Sequence, residues 1–118
     1  MLIRMLKSKL HMATVTATKL HYHGSITIPR DLMDAANLRA NEAVLVANVA
    51  TGGRGETYVI EGPPGSGAVE LNGAIARLAE PGDRVIVLAF AQMTEAEADD
   101  HEPVIVLLEE GNRIESMQ

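Results

Sequence analysis

Hydrophobic and polar positions along the chain form short, β-branched apolar runs that are separated by turn residues. Such runs, rich in Val, Ile and Thr and bounded by Gly or Pro, are typical of strands. The predicted strands are residues 1–6, 14–22, 25–28, 42–50, 57–61, 69–71, 85–90 and 104–108. Many short strands with turns at close spacing indicate a mainly β fold, either a barrel or a sandwich.

Helical spacing is confined to two short segments. Residues 30–36 carry apolar side chains at helical positions directly after Pro29, and Asn37 is predicted to end that helix. Residues 94–100 begin with Thr94 as a predicted N-cap, followed by acidic residues that suit a first turn. Residues from 112 onward are predicted to form a frayed tail. We expect a single domain spanning residues 1–118.

Composition narrows the classes of function. A net charge of −6 and only 3% aromatic residues disfavour non-specific binding to phosphate backbones and stacking on bases. The absence of cysteine excludes disulfides, thiolate catalysis and zinc–thiolate sites. Charges interrupt residues 1–7, so we expect neither a signal peptide nor a membrane span, and a cytoplasmic location is the default.

The stretch of residues 21–25 allows two interpretations. Gly24-Ser25 between two strand-like runs is a common hairpin signal, because glycine tolerates backbone angles that other residues avoid. Alternatively, the Gly24–Ser25 peptide bond is a site of chemistry. A serine hydroxyl directly after glycine can attack a carbonyl that no side chain shields.

Other candidate sites have weaker support. His21 and His23 alternate along a predicted strand, but two imidazoles are too few for a metal site, so no metal is predicted. Ser25 lies in no Gly-x-Ser-x-Gly elbow, which argues against an ordinary serine hydrolase. The glycine-rich residues 62–67 lack the Gly-Lys-Ser/Thr ending of a phosphate-binding loop.

One local resemblance points to DNA binding. Residues 24–32, followed by Ala36-Asn37-Leu38 and Glu42-Ala43-Val44, resemble the swapped-hairpin domains of transition-state regulators and antitoxins. The match covers about 25 residues and describes a barrel building block as much as a DNA binder. It supplies the alternative function, a DNA-binding regulator or antitoxin.

A second resemblance spans nearly the whole chain. The motifs are Lys9-Leu10-His11, Leu20-His21-Tyr22-x-Gly24-Ser25, Arg54-x-x-Thr57-Tyr58, Asn72-Gly73-Ala74-x-Ala76, Pro81-Gly82-Asp83 and Met93-Thr94. Their order and spacing resemble those of the pyruvoyl-dependent aspartate 1-decarboxylases. The resemblance implies a double-psi β-barrel with short helices, assembled as a homotetramer with active sites between neighbouring subunits.

The same resemblance implies a self-made cofactor. Ser25 would attack the Gly24 carbonyl, and the chain would split into a β chain, 1–24, and an α chain, 25–118. The new terminus of the α chain would carry a pyruvoyl group derived from Ser25. That ketone would form a Schiff base with L-aspartate, whose decarboxylation gives β-alanine and CO2 for pantothenate and coenzyme A biosynthesis.

Residue roles carry over from the matched motifs. Thr57 resembles the residue that helps stabilise the oxyanion during cleavage, and Tyr58 resembles the proton donor in catalysis. The other implied roles are substrate binding by Lys9, Arg54, Thr57, Asn72, Gly73 and Ala74, and support of the cleavage site by His11 and Tyr22. No nucleic acid or membrane partner is implied.

This sequence departs from the family pattern at several positions. Ile75 stands where alanine is usual, Pro29 replaces a commonly acidic residue, and Ala47 occupies an often aromatic position. Gly55 and Glu56 make the loop after Arg54 unusual. These departures bear on substrate affinity and on the efficiency of unassisted cleavage. Because some family members mature only with an acetyltransferase-like protein, a maturation factor is a candidate partner.

Overall fold

A computed structural model describes residues 1–118 as one nine-stranded sheet with short helices. The strands are β1 (Leu2–Thr14), β2 (Ala17–Lys19), β3 (Ser25–Pro29), β4 (Ala43–Asn48), β5 (Arg54–Gly62), β6 (Glu70–Asn72), β7 (Arg84–Thr94), β8 (Val104–Glu109) and β9 (Arg113–Met117). The helices are α1 (Arg30–Ala35) and α2 (Glu95–Asp99), with 3₁₀ turns at Gly73–Leu78 and Glu110–Asn112. No helix is long and apolar enough to cross a membrane.

The sheet mixes parallel and antiparallel pairs in the order β2-β6-β3-β5-β4-β7-β1-β8-β9. The pairs β1–β8, β2–β6 and β3–β5 are parallel, and the other five are antiparallel. Parallel pairs require crossover connections, so the chain repeatedly passes over the sheet instead of meandering. The predicted mainly β fold with short helices is confirmed. This topology is compatible with the expected double-psi barrel, although β2 and β9 do not pair with each other.

The core is aliphatic, as the shortage of aromatic residues requires. It consists of 22 buried residues, nearly all of them Val, Ile, Leu and Ala. Every residue of β3 is buried, and Leu32 and Met33 of α1 pack into the same core. Burial of β3 on both faces fixes the position of Ser25 at its first residue.

β1 continues to Thr14, so the predicted strand 1–6 ends too early, and the predicted strand 14–22 is reduced to β2, Ala17–Lys19. The register of β1 against β7 shifts between Leu10 and Ala13, where Met12 has a φ of 67°. The bulge turns both Leu10 and Ala13 into the core although they are an odd number of residues apart. Arg84 holds the bulge by donating from Nη2 to the Met12 carbonyl oxygen at 2.7 Å.

Residues 20–24 connect strands that do not pair with each other. β2 pairs with β6, and β6 pairs on its other side with β3, so no hairpin exists at Gly24-Ser25. The hairpin interpretation is therefore wrong, and His21 and His23 lie in a turn, not on one face of a strand. The Gly24–Ser25 bond lies where this turn enters the buried strand β3.

The C-terminal residues are ordered, which contradicts the predicted frayed tail. β9 pairs antiparallel with β8. Asn112, only 4% exposed, donates from Nδ2 to the carbonyl oxygens of Thr14 (2.9 Å) and Gly67 (2.7 Å) and accepts from the Thr14 N–H. The sequence pattern missed β9 because all five of its residues are exposed and show no alternation.

Other boundaries agree more closely with the sequence pattern. Thr94 caps α2 as predicted: its hydroxyl accepts from the Glu97 N–H at 3.1 Å, and the Glu97 carboxylate accepts from the Thr94 N–H at 2.9 Å. These hydrogen bonds from Thr94 hold the pKa of the Glu97 carboxyl below its usual value.

β5 begins at Arg54, earlier than the predicted start at residue 57, because it pairs with β4 up to Ala47.

Two of the family departures contact each other. A Cβ on Gly55 would lie 2.8 Å from Ile75 Cδ1 and 3.1 Å from Leu78 Cδ1, so the large residue at 75 fills space that a side chain at 55 would need. Gly55 belongs to β5, and Ile75 to the 3₁₀ turn that follows Asn72. The pair therefore sets the spacing between two segments that carry predicted site residues.

We expect Gly55→Leu and Ile75→Ala to compensate each other. Overpacking by Gly55→Leu should cost about 1–3 kcal/mol, and the void left by Ile75→Ala about 2–5 kcal/mol. The double variant should be more stable than the sum of the single effects by at least about 1 kcal/mol. Denaturant unfolding in a Ser25→Ala background, which is expected to keep the chain whole, measures this coupling. Additive losses would show that the two sites are independent.

Candidate active site

Ser25 lies in a cleft of about 560 Å³. The cleft is lined by His21, Tyr22, His23, Ser25, Tyr58, Ile60 and Asn72. The structure thus brings together four predicted site residues, Ser25, Tyr22, Tyr58 and Asn72. These residues belong to three separate segments. Tyr22 and Ser25 lie in and just after the turn before β3, Tyr58 lies in β5, and Asn72 lies in β6. No Lys, Arg, Asp or Glu lines the cleft.

The Ser25 hydroxyl is held by two hydrogen bonds. Ser25 is opposite Asn72 in the antiparallel β3–β6 pair, and its side chain is only 2% exposed. Its Oγ donates to the His23 carbonyl oxygen at 3.2 Å and accepts from Asn72 Nδ2 at 3.0 Å. Asn72 Oδ1 is buried without a hydrogen-bond partner. A buried acceptor without a partner is uncommon in native proteins, and a role in binding or catalysis is one explanation for it.

Gly73 makes the closest approach to the predicted cleavage site. Its φ is +73°, and a Cβ there would lie 2.5 Å from Gly24 Cα and 2.9 Å from the Tyr22 carbonyl oxygen. Only glycine fits this backbone angle and this contact. Gly73 was predicted to bind substrate. In this chain its backbone packs directly on Gly24. Its neighbour Ala74 is exposed.

β5 presents Tyr58 and Thr57 to opposite faces. Tyr58 and Ile60 line the cleft, whereas the intervening Val59 is fully buried in the core. Because side chains alternate along a strand, Thr57 shares the Val59 face and lies on the other side of β5 from Tyr58. Arg54 is on the Tyr58 face but about 13 Å further along the strand, at about 3.3 Å per residue. Its guanidinium Nε donates only to the Gly52 carbonyl oxygen.

Lys9 and His11 are also away from the cleft of their own chain. Both belong to β1, which is separated from β5 by β4 and β7 in the sheet. The Lys9 amine makes no hydrogen bond or ion pair, unlike Lys7, which is paired with Glu42 at 2.8 Å. His11 Nδ1 is buried without a partner. Among the charged residues assigned to substrate binding, none reaches the cleft within one chain.

Lys19 contacts Tyr22, one of the residues that line the cleft. Its amine lies 5.4 Å from the centre of the Tyr22 ring and 3.0 Å from a Glu70 carboxylate oxygen. The hydrogen bond with Glu70, and then the charge of that carboxylate, raise the pKa of the exposed Lys19 amine. Lys19 is therefore paired with Glu70 and does not line the cleft.

A second Gly-Ser pair shows what the first has in addition. Gly65-Ser66 lies in an exposed loop, where the Ser66 hydroxyl accepts only from the Ala68 N–H at 3.2 Å. A Cβ on Gly65 would meet nothing within 4 Å. Ser25, in contrast, is buried, held by Asn72 and preceded by a glycine in tight contact with Gly73. The dipeptide is the same, and the surroundings differ.

The sequence analysis missed Thr27. This residue is 9% exposed, and its hydroxyl oxygen accepts from Asn72 Nδ2 at 3.1 Å. Strand alternation was the available signal, because residues 25 and 27 of one strand share a face. Without the β3–β6 register, nothing in the sequence placed Asn72 on that face.

The alternative sites gain no support from the geometry. No group of three or more His, Cys, Asp or Glu residues is arranged to hold a metal ion. Arg30, the basic residue of the segment that resembles DNA-binding domains, is paired with Asp34 at 3.0 Å and with Glu61 at 2.8 Å. A guanidinium that is already paired with two carboxylates is poorly suited to contact phosphates.

Comparison with known proteins gives a consistent result. A family model described as aspartate decarboxylase matches residues 1–115. The aspartate 1-decarboxylase of Maricaulis maris is 53% identical over 114 residues, covering 97% of this chain and 94% of that protein. Those of Shouchella clausii and Bacillus pumilus are each 54% identical, covering 96% and 93% of this chain and 89% and 87% of their own. The chain belongs to the aspartate decarboxylase family.

Proposed function

We propose that this protein is a self-processing, pyruvoyl-dependent decarboxylase that converts L-aspartate to β-alanine and CO2. Family membership supports the reaction. The observation that carries the proposal is the buried Ser25 hydroxyl, which Asn72 holds directly after a glycine packed on Gly73. Supply of β-alanine for pantothenate and a cytoplasmic location remain predictions of the same proposal.

The proposed cleavage between Gly24 and Ser25 consumes only this chain and water. Ser25 Oγ attacks the Gly24 carbonyl carbon, the C–N bond breaks, and the nitrogen takes up a proton, which leaves an ester. Loss of the Ser25 α-proton then expels the Gly24 carboxylate. Water hydrolyses the resulting dehydroalanine to a pyruvoyl group and ammonia, so the products are chains 1–24 and 25–118.

The residues around Ser25 are suited to this first step. The N–H group that Asn72 donates to Oγ orients the hydroxyl and favours its deprotonated form, which is the nucleophile of the first step. Glycine at position 24 leaves its carbonyl carbon open to attack, and Gly73 restrains the turn from the opposite side. The proposed role of Thr57 in stabilising the oxyanion requires a rearrangement, because its side chain is on the other face of β5 in the uncut chain.

The cleft is suited to a small ketone at residue 25. Asn72 offers a donor at Nδ2 and an unpartnered buried acceptor at Oδ1, so it can bond both a carbonyl oxygen and a neighbouring N–H group. When formed, the pyruvoyl group supplies the electron sink for loss of the α-carboxylate. Tyr58, whose ring lines the same cleft, is the proposed donor of the proton that replaces CO2.

Binding of a dicarboxylate requires positive charge that one chain does not place in its cleft. Arg54 and Lys9 are the proposed carboxylate ligands, and neither lines the cleft of its own chain. We therefore place them in the cleft of a neighbouring subunit of a homotetramer. Arg54 would provide a planar, bidentate donor and Lys9 a point charge. His11, beside Lys9 on β1, would enter the same interface.

Subunit complementation tests this arrangement. Chains with Ser25→Ala and chains with Arg54→Ala should each be nearly inactive, whereas their co-expression should restore activity. Random assembly gives complete sites at about a quarter of positions, because each site draws on two subunits. The matched control is Ser25→Ala mixed with Tyr58→Phe, which should restore nothing because both residues line one cleft. No recovery with Arg54→Ala would show that Arg54 acts elsewhere.

Release of CO2 from L-aspartate tests the function itself. Purified protein, incubated warm and then supplied with L-aspartate, should release CO2 and β-alanine in equal amounts. The DNA-binding alternative instead predicts salt-sensitive binding of duplex DNA by an uncut chain, with no CO2 released. If processing occurs only in cell extract, a maturation factor is a partner of this protein.

A further inference from the structure

Thr27 completes the hydrogen bonding of Asn72. One amide nitrogen, Asn72 Nδ2, donates to Ser25 Oγ at 3.0 Å and to Thr27 Oγ1 at 3.1 Å. All three side chains are at least nine-tenths buried, with exposures of 3% for Asn72, 2% for Ser25 and 9% for Thr27. The two hydrogens of the amide nitrogen are therefore both used by β3, and none is left for water.

The orientation of the amide follows from the Ser25 hydroxyl. Its hydrogen points to the His23 carbonyl oxygen, so a lone pair of Oγ faces Asn72 and requires a donor there. Thr27 takes the second hydrogen of that donor. The other end of the amide, Oδ1, is then left buried without a partner.

We propose that Thr27 is a positioning residue, which fixes the Asn72 amide so that its Nδ2 donor faces residue 25. The inference rests on the proposed function and deepens it. Without the Thr27 hydroxyl, one N–H group of Asn72 is buried and unsatisfied, and the amide turns away to recover a partner. Both the cleavage step and the decarboxylation then lose the Asn72 contact in a fraction of molecules.

Thr27 also has a packing role that the experiment must separate. A Cβ on Gly62 would lie 2.9 Å from Thr27 Cγ2, so the methyl group fills the space above that glycine. Thr27→Val keeps the shape and removes the hydroxyl, Thr27→Ser keeps the hydroxyl and removes the methyl, and Thr27→Ala removes both. If the valine variant does not fold, comparison of the alanine and serine variants still isolates the hydroxyl.

We expect the cleavage rate and kcat of the variants to depend on whether residue 27 has a hydroxyl, and not on the size of its side chain. Thr27→Val and Thr27→Ala should slow self-cleavage, and lower kcat of the processed enzyme, by about tenfold, the equivalent of about 1.4 kcal/mol. Thr27→Ser should stay within about threefold of the unaltered protein, even if it melts at a lower temperature. In an Asn72→Ala background, Thr27→Val should cause no further loss, because Thr27 acts through Asn72.

Three outcomes would overturn the inference. These are rates for Thr27→Val equal to those of the unaltered protein, equal losses for Thr27→Val and Thr27→Ser, and a further loss when Thr27→Val is added to Asn72→Ala. Each is measured beside the unaltered protein, which must itself cleave and release CO2. Failure of the unaltered protein would count against the proposed function, whereas failure of the variant pattern alone would count against Thr27.

Discussion

A Ser25→Ala chain is expected to remain one uncut 118-residue polypeptide and to release no CO2 from L-aspartate. Alanine has no hydroxyl to attack the Gly24 carbonyl carbon, so neither the ester nor the pyruvoyl group can form. The loss of cleavage and of CO2 release should be complete, because the Ser25 hydroxyl oxygen begins the cleavage from which the cofactor is formed. Intact mass and CO2 release, measured after the same warm incubation, check the two parts together.

The second Gly-Ser pair provides a matched control. Ser66→Ala changes the same residue type after the same neighbour, in an exposed loop without a buried donor. We expect this variant to cleave between residues 24 and 25 and to release CO2 at the rate of the unaltered protein. A Ser25→Ala chain that still split there would show that another group performs the attack.

Tyr58→Phe should separate processing from catalysis. The ring remains in the cleft beside Ser25, so self-cleavage should go to completion, but the proposed proton donor is gone. General acid catalysis typically contributes 10²- to 10⁴-fold, and we expect kcat to fall by roughly that factor with a smaller change in KM. Steady-state rates on fully cleaved protein, verified by mass, measure the effect.

Two results would remove Tyr58 from this role. A kcat within about tenfold of the unaltered protein would indicate a different proton donor. A block of self-cleavage equal to that of Ser25→Ala would indicate that the phenol acts before the cofactor exists. The 36% exposure of Tyr58 leaves room for substrate against the ring, whereas the fully buried Val59 beside it has no such access.

Periodicity predicted the buried strands well and the distorted ones poorly. β3, β4 and the apolar half of β7 combine β-branched residues with clear boundaries, and each was found near its predicted position. β1 was predicted to end at residue 6 instead of Thr14, because its register shifts after Leu6 and after Leu10 break the alternation of inward and outward residues. β9 was missed because an exposed outermost strand has no buried face to generate a pattern.

The site was predicted from motifs but not from geometry. No local pattern places Asn72 opposite Ser25, because the two residues are distant in sequence and meet through the β3–β6 register. The same register brings Gly73 onto Gly24 and Thr27 onto Asn72. Local patterns also suggested a hairpin at Gly24-Ser25, since turn propensity does not report that β6 lies between the flanking strands.

The departures from the family pattern are partly explained by packing. Ile75 and Gly55, each unusual alone, are complementary in shape and are best regarded as one change. Pro29 ends β3 and directly precedes α1, where a missing N–H group leaves no intrahelical bond unmade. Ala47, 8% exposed, is opposite Arg54 in the β4–β5 pair. Nothing in the structure of one chain explains its small size.

The most direct test is the intact mass of the unaltered protein after prolonged warm incubation. We expect two products, residues 1–24 with an ordinary carboxyl end and residues 25–118 with a pyruvoyl group in place of Ser25. The larger product should be lighter, by the mass of one ammonia molecule, than a chain 25–118 that begins with serine. It should also react with a carbonyl reagent. A single uncut mass, or a cut at any other bond such as Gly65–Ser66, would contradict the account.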